Sequence, residues 1–195
     1  MKKQSGIILT LSLLTIFIAV ATVAKAEQKA RRDSTVNLDY NPIEIELPPC
    51  VKTIAVVKFK EVPPIKYVGI SSTFKFKPSP DVGTWMAKAL AEQLKNSGYT
   101  VKYFETMDEA GDNYIITGIA NRVVFERPGE MDIRYKVRLD GMVVKNNKLL
   151  FAKNYLSTQE KEMLYTGSNS GKLMAGLHDI FGLFLPEAIS AVNQN

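Results

Sequence analysis

The most restrictive feature of this sequence is a series of three strand-length segments joined by short turns. The segments span residues 113–127, 131–145 and 148–158. A Pro128-Gly129 turn follows the first, and the Asn146-Asn147 pair after the second suits the positive φ angles of a two-residue hairpin. Strands joined by such short turns are antiparallel, so the series predicts a three-stranded antiparallel meander.

The middle segment of the meander has two chemically different faces. Its apolar positions are Met131, Ile133, Tyr135, Val137 and Leu139. The positions between them are Asp132, Arg134, Lys136, Arg138 and Asp140. Because successive side chains of a strand point to opposite faces, this alternation predicts a sheet that is buried on one face and charged on the other.

A β-α-β unit precedes the meander. The continuous apolar run 54–57 within residues 52–59 is typical of a strand buried on both faces, and residues 99–104 predict a second strand. Between them we expect a helix that has Ser79 as its N-cap and ends at Gly98. Its apolar stripe consists of Val82, Trp85, Met86, Ala89, Leu90 and Leu94. A crossover of this length makes the two strands parallel.

The chain closes with an apolar helix, predicted over residues 172–192. Pro186 lies inside it and is expected to kink or divide it. Its apolar stripe consists of Leu173, Leu177, Ile180, Phe181, Phe184, Leu185, Ile189 and Val192. The predicted fold class is therefore α+β: a β-α-β unit, then a three-stranded antiparallel meander, then a C-terminal helix packed on one face of the mixed sheet.

The N-terminus has the pattern of a secretory signal peptide over residues 1–26. Lys2 and Lys3 precede an apolar stretch, and Ala24-Lys25-Ala26 provides the small residues of a cleavage site. The alternative is an uncleaved membrane anchor. Residues 27–50 predict a tether, with 43–47 as a short edge strand, and 51–195 a single domain. We expect a periplasmic or outer-membrane-associated protein that is membrane-proximal rather than spanning.

The charge balance argues against nucleic acid as a partner. The 195 residues carry a formal charge of +5, but residues 1–26 contain three lysines and no acid. The remaining 169 residues therefore have 22 basic and 20 acidic side chains. A net charge of +2 is too small for the electrostatic footprint of a nucleic-acid-binding domain.

The order of elements and several short motifs resemble the YajG-type family of bacterial envelope lipoproteins and the wider group of small exported envelope domains. The motifs are Ile54-Ala55-Val56-Val57, Val68-Gly69-Ile70, Val82-Gly83-Thr84-Trp85 and Asp112-Asn113-Tyr114-Ile115-Ile116-Thr117-Gly118. This resemblance implies a non-enzymatic envelope role without catalytic residues. It also implies a lipidated cysteine at the mature N-terminus, which this chain lacks, since Cys50 lies too far downstream.

No motif in the sequence predicts catalysis, a metal site or a cofactor. The Gly167–Lys172 loop is one residue shorter than a phosphate-binding loop, and we interpret it as a helix cap, so no nucleotide is expected. The lone histidine, His178, has no suitably placed nucleophile and is predicted to be a surface or half-buried helix residue. The lone cysteine, Cys50, is predicted to be buried, with pairing to another chain as the alternative.

Two groups of residues are candidates for binding a partner. Arg134, Lys136 and Arg138 share the charged face of the meander, where Arg122, Arg127 and Lys153 are candidate neighbours; the alternative is a solvated, charge-balanced face. Phe181 and Phe184 belong to the last helix, for which the alternative to partner binding is core packing.

The predicted function is a non-catalytic exported protein that binds another envelope component and assists envelope assembly, transport or maintenance. An envelope protein, a lipid headgroup or a glycan fits as the partner. The alternative function is a periplasmic small-ligand or lipid-binding protein, with its cleft between the 63–80 loop and the last helix.

Overall fold

A computed structural model of the chain describes residues 31–127, 132–162 and 168–195, and the side chains of all these residues except 161 and 162. The predicted signal peptide and the predicted Pro128-Gly129 turn lie outside the described residues. Within these residues, nine strands form one mixed sheet: β1 Arg32–Asn37, β2 Ile54–Val57, β3 Lys60–Glu61, β4 Gly69–Ile70, β5 Phe74–Ser79, β6 Val101–Phe104, β7 Tyr114–Glu126, β8 Asp132–Lys145 and β9 Lys148–Glu162. The helices of the described residues are α1 Val82–Asn96, α2 Met107–Ala110 and α3 Asn169–Gln194.

Strand β2 is the most buried part of the sheet, as its continuous apolar run predicts. All four of its residues are buried, and it lies between the parallel strands β6 and β7. Ile54 and Val56 face the main core, whereas Ala55 and Val57 pack against α2 and Ile115 on the opposite face. Helix α1 connects β2 with β6 on the main-core side, and its predicted apolar stripe is buried.

The start of α1 differs from the prediction. Ser79 is the last residue of β5, and the N-cap is Asp81, whose carboxylate accepts a hydrogen bond from the Thr84 N–H at 3.0 Å. Asp and Ser are equally good N-caps, so the sequence alone does not choose between them. The helix ends as predicted, with Gly98 just beyond it at a φ of +86°.

The long strand β7 organises the sheet. Along one side it pairs in turn with β2, β3 and β4, and along the other side it pairs antiparallel with β8. Strand β9 continues the antiparallel series beyond β8, and Asn146 and Asn147 form the turn between them with φ angles of 50° and 58°. Strands β1, β3, β4 and β5 extend the sheet beyond the β-α-β unit and the meander. The α+β class, the mixed sheet and the C-terminal helix are as expected.

Helix α3 packs on the same face as α1, and both contribute to one hydrophobic core. The Ser168 hydroxyl caps α3 by accepting from the Gly171 N–H at 3.0 Å. Pro186 does not divide the helix. Among the described residues, α3 alone is long and apolar enough to cross a membrane, but 56% of its most apolar window is buried inside the protein. It is a core helix.

Residues 38–50, which we call the strap, cross the outside of α1 and α3. The fully buried Gln93 side chain holds the strap by accepting from the Ile43 N–H at 3.0 Å and donating to the Ile43 carbonyl at 2.7 Å. The Trp85 indole N–H also donates to the Asp39 carbonyl at 3.0 Å. Residues 43–47 do not form the predicted strand, and the backbone of Ile43 bonds the Gln93 side chain instead. The described part of the predicted tether thus packs on the domain; the boundary at residue 50 stays a prediction.

Alkaline pH is expected to destabilise the protein through the strap residue Tyr40. Burial, and then the charge of Glu92, raise the pKa of the Tyr40 hydroxyl, which donates to Gln93 Oε1 at 2.7 Å. A raised folded-state pKa contributes stability that is complete below the unfolded pKa of about 10 and is lost as the pH rises above it. Urea unfolding midpoints measured between about pH 8 and 11 should therefore fall, and less steeply for Tyr40→Phe. An unchanged slope in that variant would contradict this assignment.

Candidate partner-binding face of the meander

The side of β7, β8 and β9 that points away from α3 is here called the outer face. Arg134, Lys136 and Arg138 lie on it, as their alternation in β8 predicts, while Tyr135 and Val137 between them are buried beneath α3. Arg122 joins the outer face from β7, where it lies directly opposite Arg138.

Most of the charges on the outer face neutralise one another. The Arg134 Nε lies 2.8 Å from Glu160 Oε1, and Glu126 accepts from both Arg122, at 3.1 Å, and Lys136. The hydrogen bond from Lys136 lowers the pKa of the Glu126 carboxyl, and the charges of Lys136, Arg122 and Arg134 lower it further. These ion pairs correspond to the charge-balanced alternative for this face.

Arg138 is the exception to that balance. It is exposed, and within the described part of the chain it has no carboxylate in ion-pair range. Its direct neighbours across the strands are Arg122, with a like charge, and Leu156, which is 61% exposed. Like charges placed directly opposite each other in a sheet are unfavourable, so an external anion between them is favourable. Arg138 and Leu156 together offer a cationic group beside an apolar one.

The structure does not bring the other predicted site residues to this face. Phe181 and Phe184 are completely buried in the core beneath the sheet, so they are not available to a partner there. Phe184 packs against Phe151 and Tyr155 of β9 at ring-centroid distances of 6.4 and 5.5 Å. This corrects their assignment as candidate partner-binding residues and corresponds to the core-packing alternative.

Lys153 and Arg127 do not contribute to the basic group. Lys153 points to the helix side of β9, where its Nζ lies 2.6 Å from Glu187 of α3. Successive side chains of a strand alternate between its two faces, and the odd-numbered residues in this part of β9 face α3. Arg127 is exposed just beyond the end of β7.

The lone histidine and the lone cysteine have structural surroundings. His178 is half-buried, its Nε2 lies 2.9 Å from the Asn41 carbonyl of the strap, and its ring packs edge-on against Tyr40. Cys50 is half-buried rather than buried, because it lies in the strap over the end of α1. Within residues 31–127, 132–162 and 168–195, no three His, Cys, Asp or Glu side chains are grouped as a metal site requires.

In the described part of the chain, the clefts that are open to solvent include the following three. The first, of about 460 Å³, lies between the strap and α1 and is lined by Tyr40, Pro80 and Trp85 among others. The second, of about 420 Å³, lies between β9 and the end of α3, and the third, of about 300 Å³, lies beside Cys50. The first cleft has the end of the 63–80 loop as one wall, but the strap and α1, rather than the last helix, form the others. This differs from the predicted ligand cleft.

The comparisons with known proteins identify the fold but no family. No family model and no curated protein match the sequence. The crystal structure of protein XCC0632 from Xanthomonas campestris, described as DUF330, aligns with a TM-score of 0.63 at 9% identity, covering 83% of this chain and 97% of that one. The two chains share a fold.

Two further structures align less well. Lipoprotein GNA1162 from Neisseria meningitidis has a TM-score of 0.30 at 12% identity, over 74% of this chain and 99% of that one. The PelC dodecamer from Paraburkholderia phytofirmans has a TM-score of 0.43 at 13% identity, over 72% and 93%. Neither supports a conclusion about this chain, and the resemblance to YajG-type lipoproteins stays a prediction.

Proposed function

We propose that this chain is an exported, non-catalytic protein of the bacterial cell envelope that binds an anionic envelope component through its outer face. Export is supported by the signal-peptide pattern of residues 1–26. Its role is one of contact, in envelope assembly, transport or maintenance.

The observation that carries the binding proposal is the position of Arg138. It lies opposite the like-charged Arg122 and beside the exposed Leu156, and within the described residues its charge is not balanced by an ion pair. A phosphate or carboxylate held between two guanidinium groups would accept several charge-assisted hydrogen bonds. A partner that also covers Leu156 gains apolar burial at the same place.

The proposal is tested by photo-crosslinking in living cells. A photo-reactive residue at position 156 should give an adduct in the envelope fraction, whereas the same residue at Lys102, which is exposed on β6, should not. A large shift in gel mobility would identify a protein or glycan partner, and a small increase in mass would identify a lipid. An adduct with any component other than a second copy of this chain supports contact through the outer face, and the lack of such an adduct at position 156 would overturn it.

A charge reversal separates the role of Arg138 from that of the surrounding charges. Arg138→Glu should reduce the adduct by about tenfold or more, because the anion then meets a carboxylate. Arg134→Glu changes the net charge equally, but Arg134 is already paired with Glu160 and should affect the adduct less. Both variants should fold, since exposed ion pairs contribute about 1 kcal/mol or less. Equal losses of adduct in the two variants would show that only the net charge of the face matters, and they would contradict the specific role proposed for Arg138.

A further inference from the structure

Strand β9 forms a long edge of the sheet. It spans 15 residues, and within residues 31–127, 132–162 and 168–195 it pairs only with β8. The backbone N–H and C=O groups along its other side are therefore available to another strand. An edge of this length is a ready template for pairing between chains.

Helix α3 runs antiparallel to β9 directly beside this edge. Near the middle of the helix, Asp179 accepts hydrogen bonds from Ser157 at 2.7 Å and Gln159 at 2.6 Å. Two turns later, Glu187 accepts from Tyr155 and from Lys153. One stripe of the helix, which includes Asp179, Leu183, Glu187 and Ser190, therefore follows the strand along its free side.

On this stripe, an exposed apolar side chain lies on one side of Glu187 and a cleft lies on the other. Leu183 is 63% exposed, although it lies in the apolar helix of the core. The cleft of about 420 Å³ has apolar lining from Phe151 of β9 and from Pro186 and Ala191 of α3, and polar lining from Glu187, Ser190 and Gln194. Relative to Glu187, Leu183 lies four residues earlier and the centre of the cleft three to four residues later, so both are about 5–6 Å from it along the helix.

We infer that a second copy of this chain pairs with the β9 edge, around a two-fold axis near Tyr155 and Glu187. Such an axis reverses the helix direction, so the Leu183 side chain of each copy enters the cleft of the other. The two β9 strands then pair antiparallel and join the two sheets into one. The exposed side chain and the cleft lie on the same stripe at equal distances from one point, which is the self-complementarity that a two-fold interface requires.

The charges of β9 also favour antiparallel pairing with itself. Lys148 lies at the beginning of the strand and Glu160 near its end, and both are exposed. Antiparallel pairing centred near Tyr155 brings the Lys148 end of one copy to the Glu160 end of the other, whereas parallel pairing would place like charges together. This interface is separate from Arg138 and does not depend on the proposed function.

The inference is tested with the full chain, purified from the cell fraction in which it is found. Sedimentation at about 20 µM should give twice the mass of one chain. Leu183→Glu should weaken self-association by about tenfold or more, because the new carboxylate would lie beside Glu187 of the cleft and the apolar contact would be lost. The matched control is Ile70→Glu, at a similarly exposed apolar residue on β4, and it should leave the dimer unchanged. A native monomer at about 100 µM would overturn the inference, as would equal losses in the two variants.

Crosslinking locates the two-fold axis. In a Cys50→Ser background, the cysteine of Asn154→Cys should form a disulfide with the same cysteine of the second chain. The two positions lie close together across the two-fold axis. Lys102→Cys, on the opposite edge of the sheet, should not. A dimer whose disulfide forms at residue 102 rather than 154 would place the interface elsewhere. A disulfide or adduct of position 154 with a different protein would assign the β9 edge to that protein instead.

Discussion

Trp85→Ala is expected to lower the free energy of unfolding by about 3–5 kcal/mol, the cost of truncating a large aromatic side chain inside a packed core. Trp85 is 2% exposed and belongs to the buried stripe of α1. Its indole N–H also holds the strap at Asp39, so the substitution removes packing and a connection between two elements at once. The strap residues should lose protection against hydrogen exchange in the same variant.

Two comparisons make the Trp85 result interpretable in urea unfolding. Leu156→Ala removes a large side chain that is 61% exposed, and it should change stability by no more than about 0.5 kcal/mol. Trp85→Phe keeps most of the ring but not the N–H. Its free energy of unfolding should therefore fall less than that of Trp85→Ala, while the strap residues should still lose protection against hydrogen exchange. A loss below about 1 kcal/mol for Trp85→Ala would show that this face of α1 does not form the core.

The elements that are apparent from the sequence are those whose pattern is local and long. The alternation in 131–140 places Arg134, Lys136 and Arg138 on one face because a strand has a fixed period of two. The Asn146-Asn147 turn follows equally directly from the ability of asparagine to adopt positive φ. In each case the property that decides the structure belongs to the residues themselves.

The elements that the sequence does not predict depend on partners far away in the chain. Strand β1 pairs with β5, about forty residues later, and β4 contributes only two residues between β5 and β7. The strap has no regular structure of its own, and its conformation depends on the buried side chain of Gln93. Sequence periodicity carries no information about such a connection.

The candidate site shows the same division. The position of Arg138 in β8 follows from alternation, but its neighbours Arg122 and Leu156 depend on the registers of two pairings and on a bulge near Asn121. The assignment of Phe181 and Phe184 failed for a related reason. A helical stripe shows which residues are apolar, but not how much of that stripe the sheet covers.

Gly83→Ala is expected to cost at least about 2 kcal/mol, because it forces a side-chain atom into backbone that cannot move away. A Cβ at position 83 would lie 2.1 Å from the carbonyl oxygen of Phe59. The same contact region contains the hydrogen bonds that join α1 to the segment after β2, from the Phe59 N–H to the Gly83 carbonyl at 3.3 Å and from the Gly83 N–H to Glu61 at 2.9 Å. A shift that relieves the clash therefore weakens these bonds.

A matched glycine in the other long helix separates this clash from the intrinsic effect of the substitution. Gly182 lies in α3 with no atom within 4 Å of its added Cβ, so Gly182→Ala should stabilise the protein by about 0.5–1 kcal/mol through helix propensity alone. Chemical denaturation of the two variants should therefore give changes of opposite sign. If Gly83→Ala were neutral or stabilising, the close approach of the Phe59 carbonyl to α1 would be wrong. The docking of α1 against the chain that leaves β2 would then have to be revised.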